Sequence, residues 1–244
     1  MKNKKLHKFI PTIVFSALLM LGGQAFAQKQ KIQNLPKFDQ KIVHFGFTLG
    51  INSTDFRVNK KDDFGGVDSL LVLESQRQPG FNLGIVSELH FNQFFSLRFV
   101  PTLSFSQRDL EYTLTRFDTI TSKFVNPVES TFIEFPLLVK YRSKRSNNFG
   151  AYLIGGAKYS IDLASQKDVS NEFGENINIR LYQHDYAFEI GVGFDFFLEY
   201  FKFAPEIKLS FGIRDILIRD DNIYVRPINR LTSQILLISL NFEG

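Results

Sequence analysis

Residues 185–198 read D-Y-A-F-E-I-G-V-G-F-D-F-F-L, and their alternation decides the fold. Tyr186, Phe188, Ile190, Val192, Phe194, Phe196 and Leu198 share one face. Asp185, Ala187, Glu189, Gly191, Gly193 and Asp195 share the other, and Phe197 breaks the alternation at the end. Side chains alternate faces along an extended chain, so this is one long strand between two different surroundings. One face is bulky and apolar, the other small or charged. A wall between lipid and a narrow, side-chain-filled lumen requires that division. A water-soluble strand can show the same period, so the rest of the chain has to decide.

Seven further segments repeat the pattern. Val43, Phe45, Phe47, Leu49 and Ile51 alternate with His44, Gly46, Thr48, Gly50 and Asn52. Phe81, Leu83, Ile85, Leu89 and Phe91 do so with Asn82, Gly84, Glu88 and His90; Phe95, Leu97, Phe99, Leu103 and Phe105 with Ser96, Arg98, Thr102 and Ser104. Ile133, Phe135, Leu137, Val139 and Tyr141 follow, against Glu134, Pro136 and Lys140. Residues 149–161 alternate more weakly around Gly155 and Gly156. Beyond the opening stretch come residues 201–211 and 236–242, each with Phe, Ile or Leu on one face. Helical spacing fits none of these well. The expectation is an all-β fold, an eight-stranded antiparallel up-and-down transmembrane β-barrel.

The connections alternate strictly between short and long. Asn92–Gln93, residues 143–148 and Glu199–Tyr200 are short turns; residues 53–79, 107–130, 162–183 and 214–230 are long polar segments. Outer-membrane barrels have short periplasmic turns and longer outside loops, which puts both termini in the periplasm. A soluble up-and-down barrel such as a lipocalin has no need of that asymmetry. Strands of about 12 residues rising ~3.3 Å each and tilted by ~40° make a wall of roughly 30 Å, enough for the apolar band of an outer-membrane barrel.

Charged residues within the strands fall on the face opposite the large apolar ones. They are Glu88, Arg98, Glu134, Lys140, Lys158, Glu189, Asp195, Lys202, Glu206 and Lys208, with acids and bases in balance. An eight-stranded barrel has room only for its own side chains, so these should pair in the lumen and leave it non-conducting. Phe45, Phe47, Leu97, Phe99, Phe188, Ile190, Val192, Phe194 and Phe196 should face lipid. Pro101, Pro136 and Pro205 each remove a ladder donor, and bulges or interrupted pairing are expected there.

The two ends of the chain set the compartment and the domains. Residues 1–27 carry Lys2, Lys4, Lys5 and Lys8, an apolar run over 10–21, and Ala25-Phe26-Ala27, the pattern of a cleaved secretory signal. The apolar run is too short for a transmembrane anchor. Residues 28–41 are polar and without period, expected to be a flexible periplasmic segment, and residues 42–244 form the barrel. The net charge of +4 belongs to the signal: without its four lysines, 25 basic residues face 25 acidic ones. Nothing therefore argues for nucleic-acid binding. With Cys 0 there is neither a disulfide framework nor a thiolate metal site. Phe 28 in a chain without Trp is high for a soluble domain, and no long apolar run follows residue 27.

Sites of chemistry are sparse. His44 and His90 fall on the lumen face, where hydrogen-bonded structural histidines are expected. His184 lies at the far end of the sixth strand, with Ser160, Ser165, Ser170 and Glu172 in neighbouring segments, but no spacing identifies a nucleophile–base pair. Asp62-Asp63, Asp118 and Asp220-Asp221 lack the ligand spacing of a calcium loop. Gly191-Val192-Gly193 echoes part of a dinucleotide fingerprint, but no helix follows, and lumen-facing glycines leave room for neighbours. No cofactor is expected.

Three stretches carry a family resemblance: H-F-G-F-T-L-G-I-N at 44–52, E-F-P-L-L-V-K-Y-R-S-K-R at 134–145, and Y-F-K-F-A-P-E-I-K-L-S-F-G at 200–212, with L-N-F-E at the close. Together they resemble the PorT family of outer-membrane barrels from the Bacteroidetes, including the gliding-motility relative called SprT. The likeness covers most of the mature chain, and the family's prolines match Pro136 and Pro205. It implies a non-enzymatic role in type IX protein secretion, with outer-membrane lipids and other subunits of that machine as partners. The other readings are a general OmpX-like or OmpA-like barrel for adhesion or envelope integrity, a surface lipid-modifying enzyme centred on His184, and a soluble lipocalin-like carrier.

Overall fold

The computed structural model describes residues 32–61, 70–116, 120–164, 179–220 and 225–244; residues 1–27, expected to be a signal segment, lie outside them. The strands are β1 (Val43–Lys60), β2 (Leu70–His90), β3 (Phe95–Phe99), β4 (Thr102–Arg116), β5 (Ile120–Arg142), β6 (Phe149–Asp162), β7 (His184–Phe197), β8 (Lys202–Gly212) and β9 (Ile228–Glu243). Every pairing is antiparallel, and β1 pairs with both β2 and β9, so the sheet closes into a ring. Nine strands make eight staves, because β3 and β4 run end to end between β2 and β5.

Burial follows the strand period with its usual polarity inverted. Along β7 exposed and buried residues alternate without a break: Phe188 is 47% exposed and Ile190 51%, whereas Glu189 is 2% and Asp195 0%. A water-soluble domain buries its apolar side chains and exposes its charges. Here the apolar band is outside, which removes the lipocalin-like reading. Aromatic pairs in cross-strand register knit that outer face, among them Phe47 with Phe242 at 4.8 Å and Phe81 with Phe105 at 4.7 Å between ring centroids.

The prolines interrupt the ladder without shifting it. Phe99 opposes Leu137 and Thr102 opposes Glu134, so Val100 lies opposite Pro136 with the register unchanged. Val100 donates its N–H to the Pro136 carbonyl at 3.3 Å, but Pro136 has no N–H to return. The Thr102 hydroxyl donates instead to the Val100 carbonyl at 2.7 Å. Pro101 accepts from Ile85 at 3.0 Å and likewise returns nothing, which ends β3 and starts β4. Pro205 keeps its register with Leu240 of β9, while pairing to β7 lapses between Glu206 and Phe203.

Two long segments expected as loops are mostly strand. β1 and β2 continue through much of 53–79, and β4 and β5 through nearly all of 107–130. Beyond the apolar band the outer face no longer has to be apolar, and the apolar residues change to the inner face (Phe56 on β1, Leu110 and Tyr112 on β4) while the backbone ladder continues. The segment expected to be flexible is partly packed as well. Residues 38–40 form a 3₁₀ turn, Phe38 is buried, and Asn34 bonds to Asn148 and to the Phe197 carbonyl.

Candidate functional site

Lumen-facing positions of six of the eight staves bring the predicted charges together. None of the ten exceeds 5% exposure. Arg98 of β3 is the hub. Its guanidinium contacts Glu88 at 2.5 Å, Glu206 at 2.9 Å and Glu243 at 2.9 Å, spanning the ring from β3 to β8 on the opposite side. Lys202 meets Glu243 at 2.7 Å, and Lys140 meets Asp195 at 3.1 Å and Glu88 at 3.6 Å. Lys158 bridges Glu134 at 3.0 Å and Glu189 at 3.1 Å, and Lys208 links Glu189 to Glu206. The result is one connected network along the lumen.

Neutral residues complete the filling. The Tyr152 hydroxyl donates to Glu206 at 2.8 Å, and its ring lies beneath the Lys140 ammonium at 3.9 Å. A Cβ on Gly193 would come within 2.3 Å of the Tyr152 ring, and one on Gly191 within 2.6 Å of the Lys208 stem. These glycines are gaps that larger lumen side chains occupy, which disposes of the dinucleotide fragment.

Each end of the lumen is stoppered by different chemistry. At the loop end, Phe56, Leu73, Leu110, Tyr112, Ile216 and Leu217 belong to a buried apolar cluster that includes Ile179 and Leu181 from the β6–β7 connection. That connection joins the β8–β9 one through a Leu181–Leu217 bridge and an ion pair of Arg180 with Asp220. Hydrogen bonding from Arg180 holds the Asp220 carboxyl below its ordinary pKa. Arg108 is also buried, between the rings of Phe56 and Phe132, and donates to Ser233 at 3.0 Å and Ser130 at 2.9 Å. At the other end Phe38 stacks on His44 at 3.8 Å and meets Phe197 edge-on at 5.6 Å. Asp39 of the same turn reaches Arg142 at 2.8 Å.

Glu243 and Arg108 escaped the sequence reading. Glu243 continues the lumen face Ser239, Asn241, Glu243, so its parity was available. Arg108 continues the lumen face of Ser104 and Ser106, but it lies in a polar stretch that reads as a loop. His44 stacks on Phe38, and His90 lies 3.2 Å from Glu88. His184 is exposed and bonds through Nδ1 to the Tyr159 hydroxyl at 2.9 Å, while Ser160 is buried on the opposite, lumen face. Successive residues face opposite sides of a strand, so His184 and Ser160 form no pair. Ser165, Ser170, Glu172, Asp62, Asp63, Asp118 and Asp221 lie outside the described residues. Phe45, Phe47, Phe99, Phe188, Ile190, Val192, Phe194 and Phe196 are exposed on the outer face and Leu97 is half-buried there.

The family described as "Outer membrane protein beta-barrel domain" matches residues 26–217. The chain belongs to this family. It is an outer-membrane β-barrel protein, and the inverted burial has its physical reason in the lipid outside. No curated protein matches the sequence. Among solved structures, the chain is similar to the outer membrane protein OprG from Pseudomonas aeruginosa, with 13% identity over 82% of this chain and 92% of that one and a TM-score of 0.41. It is also similar to Ail, the attachment invasion locus protein of Yersinia pestis (11% identity, 84% and 100% covered, TM-score 0.37). The N-terminal β-barrel domain of Pseudomonas aeruginosa OprF is a third (12%, 80% and 96%, TM-score 0.31).

Proposed function

We propose that this barrel is a non-enzymatic accessory or assembly component of type IX protein secretion, and of gliding where the cell glides. It sits with both termini in the periplasm and its loop end outside. The observation that carries the reading is the stoppered, ion-paired lumen: a barrel so filled is a scaffold, and its work falls to the loops and rims it holds in place. The 44–52, 134–145 and 200–212 stretches that resemble the PorT family supply the choice of machine. Other subunits of that machine are the expected partners, met at those rims. Deleting the gene should abolish export of proteins with C-terminal secretion signals; normal export and gliding in the deletion strain would refute the role.

The family match favours a second reading equally. A general OmpX-like or OmpA-like barrel would serve adhesion or envelope integrity. It predicts a deletion strain with intact secretion and altered surface binding or detergent sensitivity, so the same strain separates the two.

A further inference from the structure

We propose that a cleft on the barrel's outer flank, between Arg57 and Arg230, binds the phosphate of a lipid headgroup. The cleft has a volume of about 400 Å³ and is lined by Arg57, Val58, Asn59, Gly212, Arg230 and Thr232. It forms at a step in the wall, where β8 ends at Gly212 while β1 and β9 continue paired as far as Lys60 and Ile228.

Its height is what selects a lipid. The outer face of β1 runs Phe45, Phe47, Leu49, Ile51, Ser53, Asp55, Arg57; that of β9, read from its C-terminal end, runs Leu240, Ile238, Leu236, Gln234, Thr232, Arg230. Ser53 opposes Leu236, the last apolar row, and Arg57 opposes Thr232. Four residues at ~3.3 Å, tilted by ~40°, put the arginine row roughly 10 Å beyond that apolar edge. The polar headgroup zone begins at that edge, and long basic side chains reach back toward it. Arg230 does reach back, donating from Nη2 to the carbonyl of Ile213, which follows the end of β8.

Charge selects the anion. Arg57 and Arg230 are both exposed, and among the described residues neither forms an ion pair with a carboxylate. The neighbouring acids are already engaged: Asp55 by Arg77 at 2.9 Å, and Asp215 by Arg219 at 2.5 Å. Two guanidinium groups beside a threonine and an asparagine offer forked donors suited to phosphate oxygens. The outer-leaflet assignment rests on the proposed orientation, but the binding chemistry does not.

The test uses the purified, folded barrel in detergent. Its affinity is measured for monophosphoryl lipid A, for the same lipid A with the phosphate removed, and for inorganic phosphate. Arg57→Gln with Arg230→Gln should weaken binding of the phosphorylated lipid by at least about tenfold, the order expected for losing a charged hydrogen bond. Lys144→Gln, which removes an exposed cation from the short turn between β5 and β6 at the opposite end of the barrel, should leave it unchanged. Should the double variant fail the heat-shift test of a folded barrel, Arg57→Lys with Arg230→Lys replaces it and should retain charge yet still lose affinity. Equal binding by wild type and variant, or equal binding of the dephosphorylated lipid, overturns the site. Inorganic phosphate binding as tightly as the lipid overturns the lipid assignment. Because the assay is blind to orientation and to secretion, its failure is distinct from failure of the secretion role.

Discussion

At the scale of single residues, Arg98 carries the most. It touches three carboxylates from three strands, and its removal leaves them buried without their cation. Arg98→Met should destabilise the folded barrel by about 3–5 kcal/mol, the range for breaking a buried pair from one side. Tyr152→Phe, which loses one hydrogen bond to Glu206, should cost about 1–2 kcal/mol. Urea unfolding from detergent micelles measures both, and equal midpoints for the two variants would contradict a hub at Arg98. Asp220 gives a pH prediction outside the membrane span. Its carboxyl is held down by Arg180, so the stability it adds is present above the unfolded pKa of about 3.9 and fades as pH falls through the lower folded value. Arg180→Ala should raise the Asp220 pKa toward that ordinary value in an NMR titration; an unmoved pKa would discount the pair. The ten lumen charges were legible because each shares the parity of small residues on its strand. Glu243 has the same parity at the end of β9. Phe38 was not legible, since nothing in a polar, period-free segment marks one phenylalanine as a stopper until the ring of strands provides its socket.

At the scale of elements, the junction of β3, β4 and β5 is the most informative. Thr102 takes up the Val100 carbonyl that Pro136 cannot serve. Thr102→Val should therefore cost about 1 kcal/mol in the wild-type background and close to nothing beside Pro136→Ala, whose restored N–H reaches the same carbonyl. A double-mutant cycle reads the coupling directly, and additive effects would show that the hydroxyl has no such role. Strand cores were readable from periodicity, and the short turns fell where expected. Strand ends were not. In residues 53–60 and 107–116 the apolar residues switch to the inner parity (Phe56 on β1, Leu110 and Tyr112 on β4), because these segments leave the apolar band while backbone pairing continues. Hydrophobic pattern reports the surroundings of a strand, and only indirectly its hydrogen bonds.

At the scale of the whole molecule, three unlike fillings occupy one lumen: an aromatic stopper at Phe38, an ionic middle and an apolar cluster at the loop end. Each blocks the passage independently, so removing one should not open it. Phe38→Ala should loosen the termini end, visible as faster amide exchange around His44 and His90, and leave the barrel closed to ions. Loss of the ionic middle alone should unfold the protein before it conducts. Function is then left to the surfaces the wall supports, including the Arg57–Arg230 cleft and the hairpins beyond the apolar band. The most direct test of a sealed barrel is planar-bilayer recording on the refolded chain without residues 1–27, with insertion verified by heat-shifted gel migration. The account predicts a flat trace at the baseline of the bare bilayer; ohmic, porin-sized current steps would contradict it.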